Sequence, residues 1–408
     1  IPTLLLEQPR SDMALAAATI YDHPQRKLTL IGVTGTNGKT TVTHIMKSLL
    51  QDSGRSVGMI GTLGSFANDE SLPSKRTTPE SPDLFALFAM MVQRNIDTVV
   101  MEVSSHALEL GRVDHVLFDV AIFTNLTQDH LDFHSDMQSY FAAKAKLFTP
   151  ERCRSAVICV DDVWGRTLAE QANVPLQTVS IAGNPADWSV VDISSEVGKS
   201  SFTLTHTPDD SMNCEINLLG DFNVCNSVEA VVACSEIGLN IESLWQDARH
   251  IRPVPGRLER VPIDAPYLAL VDYAHTPDAV EKVLTELRKQ SPRRIITVLG
   301  CGGDRDSAKR PHMGRMASEL SDLVVVTDDN PRSEVPADIR AAVLAGITLG
   351  NAMEIADRRE AIRHALSLAG ADDIVAVLGK GHELGQEIGG VVYPFSDAVV
   401  IREEANHA

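Results

Sequence analysis

Two stretches of this chain alternate short β-branched apolar runs with helical patterns, and that rhythm restricts the fold more than any other feature. In the first stretch, runs at 28–33, 57–61, 98–103, 120–124 and 156–160 read as buried strands. Helical patterns over 39–52, 81–94 and 136–148 lie between them. The alternation predicts a mostly parallel sheet covered by helices. Over about 187–219 polar and apolar residues alternate instead, as in Ser201-Phe202-Thr203-Leu204-Thr205, which predicts antiparallel strands on the flank. A helical stretch over 224–237 follows, and Pro253-Val254-Pro255-Gly256-Arg257 then breaks the chain at a hinge. Beyond it the rhythm restarts, with strands at 267–272, 295–299, 323–327 and 374–378 and helices at 277–289, 311–320, 336–346 and 358–369. The expected class is α/β: a central domain with a mostly parallel sheet over 28–252 and a Rossmann-like doubly wound domain over 253–408. Residues 1–27 are expected to be a linker or the remnant of a preceding domain.

Bulk charge narrows the partners. Lys and Arg number 36 against 55 Asp and Glu, a net charge of −19, which argues against nucleic acid or an anionic membrane surface as the main partner. A polyanionic substrate would have to be met locally by basic side chains, helix ends and metal ions. No apolar run reaches the roughly 18 residues of a membrane span, and no signal-peptide pattern opens the chain. The six cysteines (Cys153, Cys159, Cys214, Cys225, Cys234, Cys301) form no CxxC pair and no zinc-type spacing. They read as reduced, mostly buried thiols of a cytoplasmic protein, expected to be a monomer. The chain opens on Ile1 rather than Met, as a fragment or a processed form would.

The first strand run opens directly into Gly32-Val33-Thr34-Gly35-Thr36-Asn37-Gly38-Lys39-Thr40-Thr41. Glycines there let backbone N–H groups converge on phosphate oxygens, Lys39 supplies charge, and the following helix adds the positive end of its dipole. Thr40 offers a hydroxyl to Mg²⁺. The strict GxxxxGK[ST] pattern misses at Val33, yet strand, glycines, Lys-Thr and helix come in the right order for ATP or GTP, so the domain over 28–252 is expected to be of the P-loop-type ATPase kind.

Further polar loops follow other strand ends, where α/β sheets bind ligands. Glu102 can hold the magnesium that bridges nucleotide phosphates, or cap the helix after Ser104-Ser105. His106 reads as a packed or capping residue. The loop 124–134 crowds Asp129, His130, Asp132 and His134, which lifts His130 to a candidate metal ligand. Lys144 and Lys146, by composition alone, are solvated lysines. In the second stretch, Gly300-Cys301-Gly302-Gly303-Asp304-Arg305 reads as an anion site. Cys301 lacks a neighbouring histidine and is rejected as a nucleophile. Asp329-Asn330-Pro331-Arg332 suits a bidentate arginine grip on an amino acid's carboxylate, or is a simple turn. Gly379-Lys380-Gly381-His382-Glu383 ends the last strand run and could face the same cleft.

In this order, the motifs resemble the Mur ligases of peptidoglycan synthesis, and within them the branch that adds meso-diaminopimelate. The resemblance runs from about residue 28 to 397. Besides the loops above, its carriers are Thr77-Thr78, the segments 101–108 and 218–226, Pro255-Gly256-Arg257 and 271–277. It implies an ATP- and Mg²⁺-dependent ligase acting on small molecules. Gly35, Thr36, Asn37, Gly38, Lys39, Thr40 and Thr41 would serve the ATP phosphates, with Asn223, Arg257 and Asp272 completing the nucleotide site. Lys39, Glu102, His130 and Lys144 would be the catalytic set. Thr40 and Glu102 would hold one Mg²⁺, and His130 with a carbamylated Lys144 a second. Thr77, Thr78, Ser104 and Arg112 would hold the UDP-linked muramoyl-dipeptide. Leu110 stands where some relatives carry glutamine. Arg305, Asp329, Asn330, Pro331, Arg332, Gly379 and Glu383 would hold the diaminopimelate. The family normally carries an N-terminal uridine-diphosphate-binding domain, and only about 30 residues precede the phosphate loop here. Either the uridine grip lies upstream of Ile1 or the acceptor is held without it. Rival readings are a folylpolyglutamate-synthetase-like ligase, against which Arg332 speaks, and a nucleotide-binding protein without turnover.

Overall fold

The computed structural model describes residues 8–74, 76–131, 133–196, 198–207, 210–290 and 292–405. Two compact units divide the chain. The first comprises residues 1–127, 133–194 and 199–252; the second comprises 128–132, 195–198 and 253–408.

The first unit is built on one sheet. Its strands are β1 (Thr29–Thr34), β2 (Val57–Gly61), β3 (Gly64–Ala67), β4 (Glu70–Leu72), β5 (Thr98–Glu102) and β6 (Phe118–Phe123). They continue with β7 (Cys153–Cys159), β8 (Leu176–Ser180), β9 (Trp188–Glu196), β10 (Lys199–Thr207) and β11 (Asp210–Ile216). Their order is β11-β10-β9-β8-β7-β6-β1-β5-β2-β3-β4. β1 lies parallel between β5 and β6, with Ile31 opposite Val100 on one side and Val120 on the other. Its side chains alternate between two cores. Leu30 joins Leu84, Phe85 and Phe88 of the helix Ser81–Gln93. Ile31 joins Val42, Ile45 and Leu49 of the helix Lys39–Asp52 and Val228 and Val231 of the helix Asp221–Glu236. Each such fully buried aliphatic or aromatic side chain contributes roughly 1.5–3 kcal/mol. That double burial explains why these strands read as continuous apolar runs.

Within the 187–219 stretch, β10 and β11 pair antiparallel as the alternation predicts, whereas β9 runs parallel to β8. The segment 1–27 includes a helix, Pro9–Ile20, whose Ala14, Ala17 and Ala18 sink into the core beside Phe85 and Phe88. Alanine at i, i+3 and i+4 is a narrow apolar stripe, too weak to stand out from a linker by pattern alone.

The second unit's main sheet has β12 (Glu259–Arg260), β13 (Leu268–Asp272), β14 (Ile295–Cys301), β15 (Leu323–Asp328), β16 (Ala352–Glu354) and β17 (Ile374–Leu378). The order is β12-β13-β17-β14-β15-β16, antiparallel only at β12. β17 inserts between β13 and β14, and Leu378 stands opposite both Asp272 and Leu299. The loops after β13, β14, β15 and β17 therefore leave from one carboxyl edge, the edge where such sheets take ligands. A hairpin of β18 (Gly385–Ile388) and β19 (Val391–Pro394) follows, tied to this edge by a bridge between Arg332 and Ile388. The C-terminal tail is anchored over its described part. Glu404 is nearly buried and takes a bond from Arg359 at 2.8 Å within the helix Asp397–Ala405.

Candidate active site

In the first unit the phosphate loop occupies the switch point between β1, whose connection runs towards β2, and β6, whose connection runs towards β7. The β6 loop holds it open. Thr36 N–H donates to Asn125 O at 2.9 Å, Asn37 N–H to the Asn125 side chain at 3.0 Å, and Thr124 Oγ1 to Asn37 O at 2.6 Å. Gly35 (φ +149°) and Gly38 (φ +89°) take conformations that favour glycine. A Cβ at Gly35 would run into Thr124 Oγ1, and one at Gly38 into Asn226 Oδ1. Gly38 also starts the helix Lys39–Asp52 without a side-chain cap, which leaves first-turn N–H groups turned towards the loop. Lys39 Nζ curls back to donate to Gly35 O at 2.9 Å and Thr36 O at 2.8 Å. Thr41 is buried in the first turn.

Glu102, 1% exposed at the end of β5, is the hub beside this loop. Its carboxylate accepts from Thr40 Oγ1 at 3.0 Å, Thr62 N–H at 2.8 Å and Thr62 Oγ1 at 3.0 Å. Thr62 in turn touches Thr77 Oγ1 at 3.1 Å. Thr78 Oγ1 donates to Glu102 O at 2.8 Å and accepts from Ser104 N–H at 3.1 Å, while Arg112 donates to Thr78 O at 3.3 Å. The structure thus brings Thr40, Thr77, Thr78, Glu102, Ser104 and Arg112 into one polar network. Ser104 also caps the short helix Ser105–Glu109 through Ala107 N–H.

The two lysines of the helix Met137–Ala145 and its C-cap differ in burial. Lys146 is exposed and pairs with Glu109 at 2.6 Å. Lys144 is 1% exposed; its Nζ donates to Gly35 O at 2.7 Å and lies 4.6 Å from the centre of the Tyr140 ring. Tyr140 OH reaches Thr36 Oγ1 at 3.2 Å, so this helix is pinned to the phosphate loop. Asn223, buried near the start of the helix Asp221–Glu236, bonds Leu219 O at 2.8 Å and Asn226 at 3.2 Å.

The polar loop 124–134 does not act as one cluster. His134 is buried in the first unit, with Nε2 2.9 Å from Ser105 Oγ, while Asp129 and His130 belong to the second. Asp132 lies outside the described residues. His106 stacks on Phe133 with ring centres 4.1 Å apart, in keeping with a packed residue. His130 sits at φ +54°, its N–H donating to Asp129 Oδ1 at 2.9 Å and its Nε2 3.5 Å from Oδ2. Burial pushes the Asp129 carboxyl up, but His130, His275 and Lys309 together hold it below the usual carboxylate range. His275 is held down to about 4, first by burial and then by Lys309.

Asp272, at the end of β13, accepts from Leu258 N–H at 2.6 Å and Ala274 N–H at 2.7 Å. Burial raises its carboxyl against the pull of Arg257. Arg257 lies over the Tyr273 ring, 4.4 Å from its centre. At the neighbouring loops, Lys380 is 0% exposed and surrounded by side chains. Its Nζ donates to Asn330 Oδ1 at 3.0 Å and Glu383 at 3.0 Å and stands 3.6 Å from Asp329. Asn330 also donates to Glu383 at 2.6 Å and accepts from Glu387 N–H at 2.9 Å. Burial raises Asp329, opposed by Arg358 and Lys380. For Glu383 burial is outweighed, chiefly by Lys380, and its carboxyl lies below the usual range. Pro331 passes the chain on to Arg332 at φ +51°, whose Nη1 donates to Gly303 O at 2.6 Å and whose Nε is 3.4 Å from Glu387. Arg305 is exposed and, with Arg332, flanks Gly302. Gly379 (φ +111°) leaves room for the Asp329 carboxylate. Behind this edge Arg358, fully buried, forks onto Asp397 at 2.7 and 2.8 Å. Cys301 is buried against Met313 with its thiol pushed up by burial to about 12, consistent with rejecting it as a nucleophile.

Sequence reasoning did not assign Thr62, Tyr140, Asn226, His275, Lys380 or Arg358. Lys380 carried a usable signal, a lysine between two glycines straight after a strand; Thr62 follows Gly61 in the same manner. The others become visible only when distant segments meet.

Known proteins resemble this chain in sequence and in fold. The Mur ligase middle domain matches residues 33–234, and the Mur ligase glutamate ligase domain matches 256–381. A UDP-N-acetylmuramoyl-L-alanyl-D-glutamate–2,6-diaminopimelate ligase of Streptomyces avermitilis is 48% identical over 412 residues, covering 99% of this chain and 81% of the relative. The enzyme of the same name from Corynebacterium glutamicum is 46% identical, covering 98% and 80%. A solved structure of a ligase of that name superposes with a TM-score of 0.70 at 33% identity, over 99% of this chain and 84% of that one. A Mycobacterium tuberculosis folylpolyglutamate synthase superposes with a TM-score of 0.75 at 19% identity, over 91% and 92%, a likeness of fold alone. With both halves matched and near-half identity along almost its whole length, this chain belongs to the Mur ligase family.

Proposed function

We propose that this chain is an ATP-dependent ligase of the MurE type, joining meso-diaminopimelate to the D-glutamate of UDP-N-acetylmuramoyl-L-alanyl-D-glutamate. The observation that carries the reading is the 48% identity, over 99% of the chain, to a relative bearing that name. In this chemistry a carboxylate oxygen of the glutamate attacks the γ-phosphorus of ATP, and ADP leaves. The amine of the amino acid then attacks the acyl phosphate, the carbon–oxygen bond breaks, and phosphate leaves as the amine's proton passes to solvent. Lys39 and the uncapped helix start would bind and neutralise the phosphoryl oxygens, the main catalytic task in such transfers. Asn223, Arg257 and Asp272 would complete the nucleotide site. Thr77, Thr78, Ser104 and Arg112 would orient the muramoyl-dipeptide beside Glu102.

Mg²⁺ fits the donors present. Glu102 is almost fully buried and takes its hydrogen bonds from a backbone N–H and two hydroxyls rather than from a cationic side chain. Thr40 and Glu102 would hold one ion; His130 and a carbamylated Lys144 are the further ligand candidates. The metal would supply positive charge at the transferring phosphoryl oxygens. Addition of CO₂ to the Lys144 amine, with loss of a proton, would give this buried side chain two oxygens able to take a metal. In the second unit Arg332, flanked by Arg305 across Gly302, would fork onto the distal carboxylate of diaminopimelate; Asn330, Asp329, Gly379 and Glu383 would hold its ammonium end. Among the described residues no helix is long and apolar enough to cross a membrane. The reading takes the enzyme to act in the cytoplasm, where its nucleotide substrates are made.

The test is to incubate the protein with ATP, Mg²⁺, the UDP-linked dipeptide and meso-diaminopimelate. The reading expects phosphate release together with a product heavier by one diaminopimelate residue. Phosphate release without that product, or the same yield with L-lysine, would overturn it.

A further inference from the structure

Away from the nucleotide loops, the end of β7 and the middle of the helix Asp221–Glu236 bring together two thiols and a carboxylate. Cys159 Sγ lies 3.6 Å from Cys225 Sγ, and Cys225 Sγ lies 3.5 Å from Glu229 Oε1. The three donor atoms all fall within 4.8 Å of one another. A tetrahedral ion held at ~2.3 Å from sulfur and ~2.1 Å from oxygen spaces its ligands by about 3.5–3.8 Å. The second carboxylate oxygen, Glu229 Oε2, is buried and has no hydrogen-bond partner among the described residues, although Glu229 is only 1% exposed. Such an orphan costs about 1–3 kcal/mol unless something satisfies it.

We propose that Cys159, Cys225 and Glu229 form a binding site for a thiophilic divalent cation of the Zn²⁺ class. Cys159 and Cys225 bind as thiolates, their protons passing to solvent as the ion enters. Burial pushes the Glu229 carboxyl well above its ordinary value, so its proton too would leave as the ion enters. The fourth position is left to solvent. Asp161, a further carboxylate whose charge acts on Glu229, is committed to the turn after β8, where it accepts from Ser180 Oγ at 2.6 Å, Ile181 N–H at 3.0 Å and Asn184 at 3.3 Å. Cys225 is half-buried where Cys159 is buried, which gives an ion its way in. The site clamps the helix to the sheet two residues from Asn223, so an ion there would stiffen a helix of the nucleotide site without touching nucleotide. The donors lie 66 and four residues apart in sequence, which is why no zinc-type spacing announces them.

Cobalt is the probe. The chelator-stripped full chain, titrated with Co²⁺, is expected to gain thiolate-to-cobalt absorption and tetrahedral d–d bands that saturate at one ion per chain and that Zn²⁺ bleaches. Cys225→Ser should abolish the bands, and Glu229→Gln should weaken Co²⁺ binding at least about tenfold. Because these variants could fold poorly, the same question is put to the unaltered protein by peptide-resolved alkylation. One equivalent of Zn²⁺ should protect Cys159 and Cys225 and leave the rate at Cys153 unchanged. Absence of a thiolate band overturns the proposal. So does a band that survives in folded Cys225→Ser, or oxidation that joins Cys159 to Cys225 while Zn²⁺ protects neither.

Discussion

At the first unit's carboxyl edge the lysines are met by backbone: Lys39 and Lys144 both donate to Gly35 O, at 2.9 and 2.7 Å. At the second unit's edge the buried cation is met by side chains, Lys380 standing among Asn330, Glu383 and Asp329. The physical consequences differ. A carbonyl cradle does not titrate, and it depends on glycines in conformations that other residues resist. A charge network can be ruined by one neutral substitution, because each buried partner left behind keeps its desolvation penalty. On the proposed reading the first edge takes a ligand of fixed shape and charge, a polyphosphate. The second, with its exposed Arg305 and half-buried Arg332, chooses among amino acids on the same reading.

The largest effect should come from the backbone-met lysines. Lys39→Ala is expected to lower kcat by roughly 10²–10³-fold, the scale for removing one aligned charge at a phosphoryl transfer, with the melting temperature little changed. Lys144→Ala should lose most activity and recover part of it with added short carboxylic acids. Intact mass showing unmodified Lys144 in active enzyme at ambient CO₂ would remove carbamylation from the account. Next comes Lys380→Met, which removes the cation beside Asp329 and Glu383 and leaves Arg358 to oppose the Asp329 carboxylate. A denaturant titration should report a loss of about 3–5 kcal/mol, far more than for Lys39→Ala; equal losses would erase the contrast between the two edges. Arg332→Ala should raise KM for meso-diaminopimelate by about ten- to a hundred-fold, the worth of a charged fork of roughly 1.5–3 kcal/mol, and leave KM for ATP near normal. The smallest effect concerns acid. The Glu383 carboxyl lies below its ordinary value in the folded protein, so the unfolded chain takes up its proton first as pH falls. Its contribution to stability is complete above about pH 4.3, the unfolded value, and is lost as pH drops through the folded one. Glu383→Gln should flatten the acid side of the stability curve, and an unchanged slope there would take Glu383 out of the network.

How much of this was legible in the sequence follows the same divide. Strands buried on both faces and long amphipathic helices announce themselves; β2, β17 and the helices Lys39–Asp52 and Pro277–Lys289 fall where the apolar pattern puts them. The hairpins β3–β4 and β18–β19 and the helix Ile241–Ala248 were not read out. Strands of three or four residues barely complete one period of alternation, and β19 is exposed throughout. The phosphate loop could be read because its chemistry is consecutive. Glu102 could be suspected from its strand end, but Thr62, which ties it to Thr77, could not. Lys144 is told from Lys146 only by fold, since the two differ in burial and not in local sequence. The Cys159–Cys225–Glu229 cluster was hidden for the same reason: a sheet and a helix must pack before its members become neighbours.

The division of labour between the two edges can be measured directly by splitting the reaction. Formation of the acyl phosphate needs ATP and the UDP-linked dipeptide but no diaminopimelate, so its reversal can be followed as dipeptide-dependent exchange of isotope between ADP and ATP. Arg332→Ala is expected to keep that exchange within about threefold of the unaltered protein while amide formation with meso-diaminopimelate falls ten- to a hundred-fold, and Lys39→Ala to lose both together. If Arg332→Ala loses exchange in the same proportion as amide formation, the second edge does not act as the separate reader of the amino acid, and the account is wrong at its centre.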